Sequence, residues 1–269
     1  MLLEIKDLSV DYFRGEKVIP AVRNASMQVA DGESVGLVGE SGSGKSTLAL
    51  SILRLISPHE GKITGGKIIF QGKDILSLPE RDMRNIRGKD IGIIFQDPFS
   101  SLNPVIKIGA QIEEAIRVHL GVRSQDKIRG PDPKVGSGSG QGQVGVRYVP
   151  DPKTQALAAL ESVRMGDPER IYGSYPHQVS GGQRQRAMIA MAIANRPRLL
   201  IADEPTTALD VTVQKEILDL LAQLKKELGM ALILITHHLG IVSQTTERLY
   251  VMKSGGIVES GDTRKILKS

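Results

Sequence analysis

Residues 39–47 read GESGSGKST, directly after SVGLV at 34–38. No other stretch restricts the fold of this chain as strongly. A loop rich in glycine is costly to order, because glycine loses more backbone freedom on folding than any other residue. The apolar run before it reads as a buried strand. KSTLALSILRLI after it has helical spacing, with Leu48, Ile52 and Leu55 or Ile56 on one face. The loop fits G-x-x-x-x-G-K-[ST], with Gly39, Gly44, Lys45 and Ser46 at the fixed positions. Backbone N–H groups can then all point at phosphate oxygens, an approach that side chains would block. The following helix turns its positive end to the anion. Lys45 can reach the outer phosphates, and the Ser46 hydroxyl can ligate Mg²⁺. Gly39, Glu40, Ser41, Gly42, Ser43, Gly44, Lys45, Ser46 and Thr47 together form the expected phosphate cradle.

LLIADEP, 199–205, supplies a partner for that loop. Its apolar residues read as a second buried strand, with Asp203 at its end. Asp203 can hold the metal shell. Glu204 follows on the opposite side of an extended backbone and is free to orient or deprotonate an attacking water. These two elements point to a nucleotide triphosphatase.

The rest of the chain alternates strands and helices. Strands are expected over MLLEIKDLSVDY, AVRNASMQVADGE, DIGIIFQDP and MALILITHH, a hairpin over GGKIIFQGKDIL, and a closing strand–turn–strand over LYVMKSGGIVESG. TVQKEILDLLAQLKKEL reads as a long amphipathic helix, and 108–195 as mainly helical. This pattern predicts an α/β fold of one domain over 1–269, with a mostly parallel sheet and crossover helices. The early strands look antiparallel, so the sheet is expected to be mixed. A helical subdomain is expected over about 97–195, broken near 124–153. There SGSGQGQ, flanked by two copies of PDPK at 131–134 and 150–153, has flexible-linker composition and reads as a solvent-exposed insertion.

Composition narrows the partners. With no cysteine, disulfides and thiolate metal sites are excluded. No apolar stretch reaches the roughly 18 residues of a membrane span, and MLLEIKDLSV has no signal-peptide pattern, so a cytosolic address is expected. The net charge is +5, but the charges do not cluster. Trp is absent and Tyr and Phe are few, which argues against a stacking platform for single strands. No nucleic-acid partner is expected.

YPHQVSGGQRQRAMIAMAIA, 175–194, holds Ser-Gly-Gly-Gln at a helix start. Ser180 is a good N-cap, and Gly181 and Gly182 leave backbone N–H groups open. Read alone this is an ordinary cap or a second anion-binding terminus. Phosphates already cradled by 39–47 have no need of it within one chain, whereas a second subunit would.

With these motifs in this order, the chain resembles the nucleotide-binding domain of an ABC transporter over nearly its whole length, outside about 124–153. VSGGQ (179–183) resembles the family signature, with Val179 where Leu is more usual. The resemblance implies a P-loop core, an antiparallel β subdomain, and a helical subdomain carrying the signature. It makes Gln96 of IIFQDP the glutamine that contacts Mg²⁺ or water, Asp210 of ALD a dimer-interface residue, His237 of THH the histidine that meets the γ-phosphate, and Tyr12 the ring on adenine, with Phe13 adjacent as the alternative. VGESGSGKS, FQDPFSSLNP, SYPHQVSGGQRQRAMIAMAIANRPRLLIADEPTTALDVTVQ and ITHHLGIV are similar to the dipeptide/oligopeptide/nickel importer ATPases. His238 stands where that group usually has Asp, and the chain stops at RKILKS where those proteins continue into a tail.

What this implies is a head-to-tail dimer with two composite ATP–Mg²⁺ sites. One chain would give Gly39–Thr47, Gln96, Asp203, Glu204 and His237 to each, and the other Ser180, Gly182, Gln183 and Asp210. Expected partners are transmembrane permease subunits, a second ATP-binding subunit, identical or paralogous, and indirectly an extracytoplasmic solute-binding protein, at the cytoplasmic face of the membrane. The competing expectation is a soluble ABC ATPase acting on nucleic acid or the ribosome. A further alternative is a binding module that does not hydrolyse.

Overall fold

A computed structural model describes residues 1–97, 101–120, 151–207 and 209–268. The insertion near 124–153 falls outside the described residues except for its last three, and Ala208 of the ALD motif is also outside them.

Among the described residues there are two sheets. The first is antiparallel, in the order β2–β1–β4–β5, from β1 (Leu3–Arg14), β2 (Lys17–Val29), β4 (Gly61–Phe70) and the short β5 (Lys73–Asp74). The second has six strands in the order β10–β9–β3–β8–β7–β6. They are β3 (Ser34–Val38), β6 (Ile91–Ile94), β7 (Leu199–Asp203), β8 (Ala231–Thr236), β9 (Arg248–Lys253) and β10 (Gly256–Asp262). Only β10 runs antiparallel to its neighbour there. The mixed, mostly parallel core sheet and the separate antiparallel layer are both as expected. The early strands form their own layer, and the mixing comes from the β9–β10 hairpin, whose Ser254–Gly255 turn has φ of 49° and 87°.

The helices are α1 (Lys45–Ile52), α2 (Glu80–Ile86), α3 (Ile108–Leu120), α4 (Pro152–Ser162), α5 (Pro168–Gly173), α6 (Gly181–Ile193), α7 (Val211–Leu228), α8 (Leu239–Thr245) and α9 (Thr263–Ile266). Pro152 of the second PDPK copy opens α4, where proline's missing N–H costs nothing. Helix α1 is shorter than its periodicity predicts. It ends at Ile52, Arg54 takes φ 51°, Leu53 is buried, and Leu55 is left exposed. Arg87 explains the stop: its Nε donates to the Leu53 carbonyl (2.6 Å) and its Nη2 to that of Arg54 (3.2 Å), satisfying acceptors a continued helix would have used. Helices α2 and α8, each of seven residues, are too short for periodicity to reveal.

The central strands are apolar between their ends because both faces are covered. In β7 and β8, Leu199, Ile201, Ala231, Ile233 and Ile235 face a core shared with the antiparallel sheet and α1. Leu200, Ala202, Leu232 and Leu234 face a second core shared with the helices. Among the described residues, no helix is long and apolar enough to cross a membrane.

Candidate functional site

The site lies at the carboxyl ends of the parallel strands. Val38 pairs with Thr236, Ile235 with Asp203, and Ala202 with Ile94. Carried one or two residues further, these registers set Thr236, Glu204 and Gln96 level with the start of the glycine loop. Four segments far apart in sequence thus converge at one sheet edge, where ligands of open α/β sheets bind.

The loop 39–47 leaves β3 and enters α1. Gly39 has φ 157°, and a Cβ there would lie 2.1 Å from the Met252 carbonyl oxygen of β9. At Gly44, φ 105°, a Cβ would lie 2.4 Å from the Ala21 carbonyl oxygen of β2. Both glycines are required by close backbone approach as well as by conformation, so the loop is wedged between the two sheets. The Lys45 Nζ folds back over it and donates to the Gly39 and Glu40 carbonyls, each at 2.9 Å. The Ser43 hydroxyl is buried with no hydrogen-bond partner. Glu40, Ser41 and Gly42 are exposed along the loop, and Ser46 and Thr47 half-buried in the first turn of α1.

Asp203 ends β7, buried, beside Ser46 and Lys45. Burial pushes its carboxyl above the usual carboxylate range. The Ser46 hydrogen bond and the Lys45 charge pull it down, and the Glu204 charge pushes it up. Its Oδ1 has no partner. An unpartnered buried carboxylate oxygen beside a hydroxyl is a costly arrangement for a protein to keep, and its donor chemistry suits a hard divalent cation such as Mg²⁺.

Glu204 is held from several sides. Its backbone is left-handed, with φ 46°, and its N–H donates to the Ile235 carbonyl at 2.9 Å. Gln96 Nε2 donates to Oε2 at 3.0 Å, and the Thr207 hydroxyl donates to the same oxygen at 3.1 Å. His237 Nδ1 lies 3.1 Å from Oε1. The His238 ring is tilted against that of His237, with centroids 4.2 Å apart. A cleft of about 180 Å³ opens beside the carboxylate, lined by Thr206, Thr207, Gln214, Thr236 and both histidines. Gln96, Glu204 and His237, expected to act together, are thus brought together. Thr207 was not expected: a threonine in TTALD carries no signal for a side-chain contact three residues back.

Ser180 caps α6 as expected. Its Oγ accepts from the Gln183 N–H at 3.2 Å, and Gln183 Oε1 accepts from the Ser180 N–H at 3.1 Å, a reciprocal capping box. Gly181 and Gly182 open the helix, and a Cβ at Gly182 would lie 3.2 Å from Val213 of α7. Asp210 caps α7, accepting from the Val213 N–H at 2.9 Å, and is exposed. These residues form a group of their own; Ser180–Gln183 bond to one another and not to the loop 39–47. Tyr12 sits on β1 opposite Ile19 and Gly61. Phe13 next to it has the Lys62 Nζ 6.0 Å from its ring centroid.

Comparison with known proteins places this geometry. Residues 22–207 match the family model described as ABC transporter. The probable peptide ABC transporter ATP-binding protein y4tR of Sinorhizobium fredii is 46% identical over 96% of this chain and 70% of its own length. The peptidoglycan transport ATP-binding protein YejF of Agrobacterium fabrum is also 46% identical, over 98% of this chain, which spans only 44% of YejF. Among solved structures, the dimeric bacterial ABC transporter cassette MJ0796 superposes with a TM-score of 0.77 at 29% identity, covering 98% of this chain and 99% of that one. A dimer of the same cassette in a post-hydrolysis state, bound to ADP and Pi, gives 0.76 at 28% with the same coverage. Fold, sequence and the order of the motifs agree, and the chain belongs to the ABC transporter family as an ATP-hydrolysing cassette.

Proposed function

We propose that the chain is the Mg²⁺-dependent ATPase subunit of a peptide importer, working at the cytoplasmic face of the membrane with permease subunits and a second ATP-binding subunit. A solute-binding protein would deliver cargo to the permease side. The observation that carries the reading is the grip of Gln96 and His237 on Glu204, next to a buried Asp203 oxygen that has no partner. Peptide cargo rests on the naming of the relatives.

In this reading the backbone of Gly39–Thr47 binds the phosphates, and Lys45 exchanges its two loop carbonyls for phosphate oxygens. Tyr12 stacks on adenine, since Phe13 already has Lys62 at its face. Ser46, Gln96 and Asp203 would hold Mg²⁺, which would supply positive charge to offset that of the phosphates. Glu204 takes the proton of the attacking water. The water oxygen bonds to the γ-phosphorus while the bond to the β–γ bridging oxygen breaks, giving ADP and phosphate. His237 orients Glu204 and meets the γ-phosphate. Catalysis of this kind rests on positioning and charge. Ser180, Gly181, Gly182, Gln183 and Asp210 complete the site of the partner cassette, which accounts for a capping group that bonds within itself and not to this chain's own loop.

The test is Mg-ATP hydrolysis by the purified chain across a wide range of protein concentration. Specific activity that climbs with concentration supports composite sites built from identical chains. Flat, low activity with ATP binding means that the second half-site comes from a different ATPase, where a second cassette restores turnover, or assembles only on the permease subunits, where they restore it. A chain that does not bind ATP in any setting refutes the proposal.

A further inference from the structure

We infer that Thr207 is a positioning residue for Glu204, fixing which carboxylate oxygen is turned to the water. The inference rests on the proposed role of Glu204 as base. Thr207 Oγ1 and Gln96 Nε2 both donate to Oε2, at 3.1 and 3.0 Å, which leaves Oε1 to the His237 side. The two donors differ in kind. Gln96 is exposed, lies two residues beyond β6, and reaches Glu204 across 108 positions of sequence. Thr207 is β-branched, with few χ1 choices, and sits in a turn whose backbone is tied down.

The ties are specific. Thr207 N–H donates to the Glu204 carbonyl at 3.1 Å. Gln185 of α6, buried, donates from Nε2 to the Pro205 carbonyl at 2.6 Å. Gln214 of α7 donates from Nε2 to the carbonyls of Thr206 (3.3 Å) and Leu209 (3.0 Å). Two helices therefore clamp the segment that follows Glu204. A threonine in a turn ordinarily bonds its own backbone; here the backbone bond is already made by the amide, and the hydroxyl goes to the carboxylate. When Gln96 turns toward a cation, Thr207 is the donor that stays. Without it Glu204, already in a left-handed conformation, keeps no fixed donor on Oε2.

The experiment compares Thr207→Val, which keeps shape and loses the hydroxyl, with Thr207→Ser, which keeps the hydroxyl. In the hydrolysing assembly, Thr207→Val should lower kcat about tenfold, a transition-state loss of about 1.4 kcal/mol, with KM for ATP within about twofold. Thr207→Ser should recover most of the rate. In the nucleotide-free chain, the carboxyl ¹³C resonance of Glu204, identified by its loss in Glu204→Gln, should move in Thr207→Val and return in Thr207→Ser. Full turnover in Thr207→Val, equal losses in both variants, or an unmoved resonance would overturn the inference. If wild-type chain binds no Mg-ATP, the ATPase reading fails, and the resonance alone decides whether Thr207 holds Glu204.

Discussion

Replacing Gly39 by alanine tests how the glycine loop is built. The added Cβ would lie 2.1 Å from the Met252 carbonyl oxygen and 2.8 Å from the Ser43 hydroxyl. Met252 cannot yield easily, because it belongs to β9, paired with β10 on one side and next to β3 on the other. Two costs add. A strained backbone conformation is worth about 1–3 kcal/mol, and overpacking about 1–3 kcal/mol. Gly15→Ala isolates the first cost: its φ is 61°, and nothing lies within 4 Å of the new Cβ. A left-handed alanine there costs about 1–2 kcal/mol. For a chain of this size, each kcal/mol moves Tm by about 2–4 °C. Thermal unfolding of the nucleotide-free protein should therefore show Gly15→Ala a few degrees below wild type and Gly39→Ala about 10 °C below. Equal shifts would mean that backbone strain alone decides and that the wedge against β9 is unimportant. A wild-type Tm for Gly39→Ala would refute the argument from close approach altogether.

Two further outcomes follow from the acidic pair. Without Mg²⁺ and nucleotide, Asp203 is a folded-state carboxyl with a raised pKa, so the folded chain binds its proton more readily than the unfolded chain. Stability from this group is full below the unfolded value and falls as pH rises through the window up to the folded one. Asp203→Asn should then melt higher than wild type at neutral pH, with the gap closing in acid, while Mg-dependent hydrolysis is lost; a lower Tm at neutral pH would contradict the burial argument. Glu204→Gln should keep ATP affinity, lose most hydrolysis and accumulate a dimer with ATP. Turnover at the wild-type rate in that variant would remove Glu204 as base.

The phosphate loop, the buried strand that leads into it, the buried strand that ends at Asp203, and the cap at Ser180 were legible in the residues, because each depends on local rules. A glycine pattern between a strand and a helix has few alternative conformations, and a serine before two glycines and a periodic run caps a helix wherever it lies. The end of α1 was not legible, because Arg87 sets it from 33 positions away. The separation into two sheets came from the resemblance and not from the strands themselves, since a strand's own pattern does not say which strand it pairs with.

The sequence by itself therefore determined which chemistry the chain carries: a loop for phosphates, a carboxylate pair at a strand end, and a second helix terminus left over. Only the tertiary structure decided how those parts meet. Parallel registers bring Gln96, Glu204 and His237 to one edge, the Met252 and Ala21 carbonyls make Gly39 and Gly44 obligatory, and the clamp on the Pro205, Thr206 and Leu209 carbonyls turns the Thr207 hydroxyl onto Glu204. Each of these contacts joins atoms that no local rule relates. They exist because the packing of two cores fixes strand order and helix position, and that is a property of the whole chain.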